Sequence, residues 1–530
     1  MKQMFKKFVS VTMAVLMLLS LAACGPKTGG EDTANNPMSL DPKAHMLQVE
    51  GKWISQLTGS ISEALGAYSA EQVSTGIKAD MTLRVGEKLQ QLLGGSDMDL
   101  SFLESIGLNM DIKVKDDLMK YLADIELNDT KLGTLDMVMD TVSQKAWLGL
   151  PGLTDKYIET SLAGTQDGMG SATAMMSAET LKQFAELLPD ATKLETVLQR
   201  YLMMVYEGVP EVKRQEQVLE LNGLKQDVVV LEYTVTEKDL AKLVKTILEK
   251  AKQDTDLKAL LEEFQEKYND LMEESYGAQW QDVDLYNQML DVIDDALESL
   301  TENTEYKESN YITEKIYLDK SFNVIGRYIS MTTEGELDIE LYAKQVTQGN
   351  AFAMEMALQT SDVISTIDNV GYSKLAISGE GTIKDGAHTG KLTLAMANSE
   401  KTLPLLEMEL KDVAQSGERG ELKLDPSAQL LTMLMGEDAA VLDFGLQMKW
   451  SVEGKKASYT VDVLMNDLLL AGLDISIDES TGSDIAKPGS GAVTQDMQEW
   501  MAGLDMQKLL QNLQTAGVPE ALLNSLMGQG

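Results

Sequence analysis

Apolar side chains in this chain recur first at the spacing of a helix. Met46, Trp53, Ile54, Leu57, Ile61, Leu65 and Tyr68 share one face and predict an amphipathic helix over 43–68. The period then drops to two. Ile77, Ala79, Met81, Leu83 and Val85 alternate with polar residues, as do Leu108, Met110, Ile112 and Val114, and Leu135, Met137 and Met139. Such alternation predicts antiparallel strands with one apolar and one wetted face. The run Trp147-Leu148-Gly149-Leu150-Pro151-Gly152-Leu153 ends a further strand at a turn. Helical spacing returns over 178–188 and 191–207, with Pro189 as the break. Asn222-Gly223 then joins two strand-like runs, 218–221 and 228–235, into a hairpin.

Thr236-Glu237-Lys238-Asp239 has the layout of a helix-starting capping box. Leu240, Leu243, Val244, Ile247, Leu257, Leu260, Leu261 and Phe264 supply the stripe that follows, and a second helix is expected over 283–300. Between Lys252 and Glu305 stand 16 acids against 3 lysines, with no Asp-x-Asp-x-Asp-Gly calcium loop among them. From 306 to 477 period-two runs dominate, at 337–341, 392–396, 406–410, 446–452, 459–463 and 473–477. Turns are marked at Lys384-Asp385-Gly386 and Glu453-Gly454-Lys455, and one helix is expected at 427–435. Amphipathic helices close the chain. The expected fold class is α+β: two lobes of antiparallel meander sheet covered by helices, half-barrel-like, with a helical connector and C-terminal helices. The expected segments are a helix-plus-sheet lobe at 43–235, an acidic helical connector at 236–305, a sheet lobe at 306–478, a linker at 479–493 and helices at 494–530. Whether the lobes are a duplication stays open.

The first 42 residues follow other rules. Lys2, Lys6 and Lys7 precede an apolar run from Phe8 to Leu21, the layout of a secretory leader. The run is shorter than the roughly 20 apolar residues of a membrane span. It ends in Leu21-Ala22-Ala23-Cys24, and Cys24 is the only cysteine in the sequence. This motif resembles the lipobox of bacterial lipoproteins. The resemblance implies cleavage between Ala23 and Cys24, a leader at 1–23, and a diacylglyceryl group on the Cys24 sulfur. It implies a protein lipid-anchored on the extracytoplasmic face of the cell membrane. Residues 24–42 then read as a lipidated flexible tether, whose stretch from 25 to 40 reaches on the order of 55 Å when extended.

Composition narrows the partners. The formal net charge is -39, from 45 basic and 84 acidic residues. It argues against nucleic acid and against a body lying flat on anionic lipid, and favours solubility. With no second cysteine there is no disulfide, so stability must come from packing. Methionine is abundant, at 32 residues, and suits adaptable apolar surfaces.

Catalytic chemistry finds little footing. The two histidines, His45 and His388, lie far apart in sequence; His45 is near the tether and His388 at an expected strand start. There is no Gly-x-Ser-x-Gly elbow, no zinc ligand set, and Gly386–Lys391 falls one residue short of a phosphate loop. No catalytic, cofactor-binding or metal residue is assigned, and no enzyme is expected. The body resembles, in pattern, the lipoprotein-carrier (LolA-like) and mycobacterial lipid-binding lipoprotein folds, over 43–235 and less clearly 306–477. The chain as a whole is similar to the large acidic lipoproteins of clostridia and related Gram-positive bacteria. The first of these likenesses implies a half-open antiparallel barrel with helical lids that holds acyl chains. Two function classes remain: a non-catalytic lipoprotein binding a lipid or other apolar ligand, and a structural lipoprotein contacting the cell wall or an envelope protein partner. The first predicts co-purifying acyl material and methionine-lined space inside the sheet, and the second a dry core with an exposed apolar or acidic patch.

Overall fold

The computed structural model of the chain describes residues 37–67, 76–94, 100–115, 118–140, 142–161, 187, 189–276, 281–302, 306–333, 336–367, 370–436, 443–480 and 485–526. In chain order they form α1 (Pro42–Ala67), β1 (Gly76–Val85), α2 (Glu87–Gly94), β2 (Ser105–Lys115), β3 (Leu118–Leu127), β4 (Thr130–Asp140), β5 (Lys145–Gly149) and β6 (Tyr157–Ser161). Next come α3 (Ala191–Glu207), β7 (Val212–Leu221), β8 (Leu224–Thr236), α4 (Glu237–Gln253), α5 (Thr255–Tyr276) and α6 (Leu285–Glu302). The strands β9 (Asn310–Leu318), β10 (Val324–Thr333), β11 (Glu336–Gln348), β12 (Ala351–Thr360), β13 (Ser365–Ile367), β14 (Val370–Tyr372), β15 (Lys374–Lys384), β16 (Ala387–Ala397), β17 (Thr402–Ala414) and β18 (Arg419–Pro426) follow. Last are α7 (Ala428–Met435), β19 (Phe444–Glu453), β20 (Lys456–Met465), β21 (Leu468–Ser480), β22 (Val493–Thr494), α8 (Met497–Ala502), α9 (Met506–Thr515) and α10 (Glu520–Leu526). The class is α+β with antiparallel sheet. The helix expected at 178–188 lies largely outside the described residues, as do the leader, Ala23 and Cys24.

The compact units are not the consecutive lobes that the pattern predicts. One unit combines residues 1–66 with 187–416, and the other combines 67–186 with 417–530. Helices α4–α6, expected as a connector, belong inside the first unit. They leave after β8 and return to β9, and those two strands pair directly, Leu231 opposite Ile316.

In the first unit the sheet runs β7-β8-β9-β10-β11-β12-β15-β16-β17, each strand antiparallel to the next. Asn222 and Gly223 both take positive φ, 47° and 78°, the hairpin turn whose twist matches the strands. Helix α1 opens with Pro42, whose missing amide costs nothing at a first turn, and Asp41 accepts from the Lys43 amide. Its face of Met46, Val49, Trp53 and Ile54 packs with Tyr206 and Val209 on Leu231, Tyr233, Ile316, Leu318, Ile329 and Met331. Ile61, counted on that face from spacing, is 37% exposed. Arg214 of β7 donates to the carbonyls of Leu40 and Met38, so the last residues of the expected tether are docked. On the opposite face of the sheet Leu219, Val228, Val230, Tyr317 and Val346 make a second core. There Gln226 accepts from the Thr347 amide and Gln348 from the Lys225 amide, joining the first hairpin to the β11–β12 turn.

In the second unit the order is β22-β6-β5-β4-β3-β2-β1-β21-β20-β19-β18. All pairs are antiparallel except β22 on β6. Two meanders are zipped by β1 and β21, Gly76 lying opposite Ser480. The final helices pack Ala516, Val518 and Leu523 against Leu127. Asn128, in the β3–β4 turn, donates to the carbonyls of Phe102 and Ala516 and accepts from the amides of Glu104 and Ser105.

Candidate functional site

The register of the second unit sorts its side chains by face, because residues directly opposite one another point the same way. Across β20, β21, β1, β2 and β3 one row reads Val461, Leu473, Leu83, Ile106 and Leu127. The next reads Tyr459, Ile475, Met81, Leu108 and Ile125. A third reads Ala457, Ile477, Ala79, Met110 and Ala123. Leu446, Met448 and Trp450 extend it on β19, and Leu135, Met137 and Met139 on β4. The surface is on the order of 25 Å across strands and 20 Å along them, comparable with the largest apolar patch on a typical monomer, about 300–600 Å² and often functional.

This apolar face is open to solvent along its middle. Leu473 is 37% exposed, Ile477 38%, Leu83 41%, Ile125 42%, Ile106 43% and Ile77 51%. It closes toward β4, where Met119, Met139 and Ala146 are buried with Val114, Tyr121 and Met137 packed around them, and at Leu127, which lies under Ala516, Val518 and Leu523. The reverse face is polar. Arg84 forks onto Asp462 and Asp474 at 2.6 Å each, and Thr460 donates to Asp474 at 2.8 Å. Burial alone would raise the Asp474 carboxyl, but Arg84 and Thr460 hold it below the usual range. Gly472 makes room for this fork, since a Cβ there would stand 2.7 Å from the guanidinium carbon. The unequal faces therefore follow from alternation alone, and the second layer that normally covers an apolar sheet face leaves these positions open.

The first unit holds a different feature, a charged set sealed in its core. Glu50 of α1, Glu314 of β9 and Arg327 of β10 are 0%, 0% and 1% exposed. Arg327 Nη1 lies 2.8 Å from Glu50 Oε1 and 2.7 Å from Glu314 Oε1, and Nη2 donates to Glu50 Oε2 at 3.1 Å. Tyr233, opposite Glu314 in the ladder, donates to it, and Tyr206 hydrogen-bonds Glu50. Burial, joined by the Glu314 charge, pushes the Glu50 carboxyl up against the pull of Arg327. Burial likewise pushes the phenols of Tyr206 and Tyr233 well up, so both remain neutral donors. Glu50 occupies the apolar stripe of α1, four residues after Met46 and three before Trp53. That interruption was the available signal for it in the sequence.

The two histidines stay in separate places. His45 is fully buried, edge-on to Phe322, with no hydrogen-bond partner for either nitrogen. His388, expected at a strand start, lies at the start of β16 and is half-buried against Phe352 at 5.0 Å between ring centroids. Burial lowers both imidazoles. The Gly386–Lys391 stretch enters strand β16 rather than a loop before a helix. Among the described residues no three His, Cys, Asp or Glu gather as a metal site, and no helix is long and apolar enough to cross a membrane. A polar groove of about 650 Å³ lies between α9 and α10, lined by Lys508, Gln511, Gln514, Glu520 and Asn524 among others.

Neither a protein-family model nor a curated protein sequence matches this chain. Among solved structures, a mutant of the vaccine antigen transferrin binding protein B from Haemophilus parasuis aligns over 77% of this chain and 76% of its own. The identity is 6% and the TM-score 0.11, a likeness too slight to carry an argument.

Proposed function

We propose that this protein is a non-catalytic, lipid-anchored lipoprotein of the extracytoplasmic membrane face that binds a lipid or another apolar ligand. The observation that carries this reading is the exposed apolar face over β20, β21, β1, β2 and β3, backed by a polar face. Each buried methylene contributes about 0.8 kcal/mol, so one long acyl chain laid across such rows gains enough to bind without any polar anchor. Met81, Met110, Met137 and Met448 line the same face and can repack around chains of different length. The half-barrel expected from the pattern is part of the proposal: in the first unit the β7–β8 hairpin meets the β11–β12 turn through Gln226 and Gln348.

The reading is tested on protein expressed without residues 1–24. Organic extracts should contain acyl material by mass spectrometry, and the protein should take up a fluorescent fatty acid. Ile106→Glu places a carboxylate at an exposed position of the first row and should reduce that uptake at least tenfold while the circular dichroism is unchanged. No bound lipid together with no uptake would sink it. The second reading, an interaction lipoprotein, draws on the same exposed face. It is favoured if Ile106→Glu instead abolishes a crosslink to an envelope protein and leaves fatty-acid uptake as it was.

A further inference from the structure

Helix α1 carries two ionisable side chains into the core of the first unit, and each is charged only at a cost. Glu50 shares one guanidinium, Arg327 of β10, with Glu314 of β9. Tyr206 of α3 and Tyr233 of β8 complete the surroundings as neutral phenols. If both carboxylates ionise, one negative charge is left over in a site without water access. His45 meets the Phe322 ring and feels the positive charge of Arg214 on β7, and neither of its nitrogens has a partner. An imidazolium there has two donors, no acceptor and a cation in its field. Arg327 Nε and Trp53 Nε1 are also buried without partners, so the polar contacts of α1 are incomplete even when it is docked.

We propose that α1 is a proton-gated lid on the β8–β10 face of the first unit: charging His45 or ionising Glu50 lifts the helix while the sheet beneath stays folded. Lifting brings water to both groups and uncovers Leu231, Ile316 and Leu318, each 0% exposed when the lid is down. Helix α1 directly follows, in sequence, the segment read as the membrane tether. The two residues act in opposite directions. His45 is lowered from 6.5 by burial, so its contribution to docking is present above that value and lost as pH falls below it. Glu50 is raised from 4.5 by burial, so its contribution is present below that value and lost as pH rises through the raised one.

The test is hydrogen exchange by mass spectrometry on the mature full-length protein from pH 4.5 to 9, corrected for the chemical exchange rate. Between pH 4.5 and 6.5 the two linkages oppose each other, so each is read in the variant that removes the other. In Glu50→Gln the protection of peptides from 42–62 should fall as pH drops below 6.5, and in His45→Phe it should fall as pH rises above 4.5, each by up to about tenfold per pH unit for a single linked proton. Peptides from 310–333 should hold their protection. Glu50→Leu and His45→Leu are the fallbacks if either variant fails to fold. The proposal is overturned if either single variant gives a flat profile, if α1 and β9–β10 lose protection together, or if the double variant keeps either slope. It uses no ligand at the apolar face of the second unit, so its failure leaves that reading standing.

Discussion

Arg327 is the residue whose removal should cost most. Arg327→Met leaves two carboxylates buried against each other, and breaking a buried pair from one side costs about 3–5 kcal/mol. Adding Glu314→Gln removes one of the stranded charges and should recover a large part of that loss. Urea unfolding of the single and double variants checks it, and a double variant as unstable as the single would refute the coupling. Asn128 is the counterpart in the second unit. Its φ of 49° suits a glycine, yet its side chain makes four hydrogen bonds that glycine cannot make. Asn128→Gly should therefore cost about 2–3 kcal/mol despite easing the backbone, measured as a shift in urea midpoint. The turn chemistry was legible at Asn222-Gly223 and at Asp385-Gly386. Asn128-Asp129 and Asn466-Asp467 adopt the same positive-φ pairs without a glycine, and only the backbone shows them.

Most elements could be located from local signals because those signals act over a few residues. The capping box at Thr236 forms as its spacing implies, with Asp239 and Thr236 bonded reciprocally. Helix α3 spans Ala191–Glu207, bounded by Pro189 and an Asp190 side chain that accepts from two amides. The break between α4 and α5 had no such mark, since Leu257, Leu260 and Phe264 prolong the apolar stripe of α4. It is made by Asp254, 4% exposed, which accepts from Arg200 and Tyr201 and from the amides of Asp256 and Leu257. Burial would raise this carboxyl, but Arg200, the Leu257 amide and Tyr201 outweigh it and hold it at about 2, against an ordinary 3.8. A depressed carboxylate stabilises above its unfolded value and loses that stabilisation as pH falls through the folded one. The link from α3 to the α4–α5 corner should thus weaken between pH 4 and 2 by about 2 kcal/mol. Asp254→Asn should bring most of that loss to pH 7 and flatten the acid dependence, as read from the unfolding midpoint of the helices.

At the scale of the molecule, the second unit depends on one long-range zipper. Strand β1 bonds to β2 on one side and β21 on the other, so every interior amide of β1 is used. Met81→Pro removes one of them and costs about 3 kcal/mol or more. It should lower the unfolding transition of 76–161 and 419–480 together and leave the first unit's transition in place, as followed by hydrogen exchange. The anchor is tested separately: Cys24→Ser should release the protein from the membrane fraction, and continued membrane retention would remove the lipobox reading. That reading came entirely from the sequence, as did the acidity, the helices and the alternating strands. All of these depend on covalent chemistry, composition or the periods 3.6 and 2, which a one-dimensional pattern preserves. The tertiary structure alone decided that β1 pairs with β21, that α4–α6 return to their own unit, that Glu50 meets Arg327, and that the face of Met81 and Ile106 stays open. Alternation marks which side of a strand is apolar, but it carries no information about which distant strand supplies the hydrogen bonds or whether another layer arrives to cover that side.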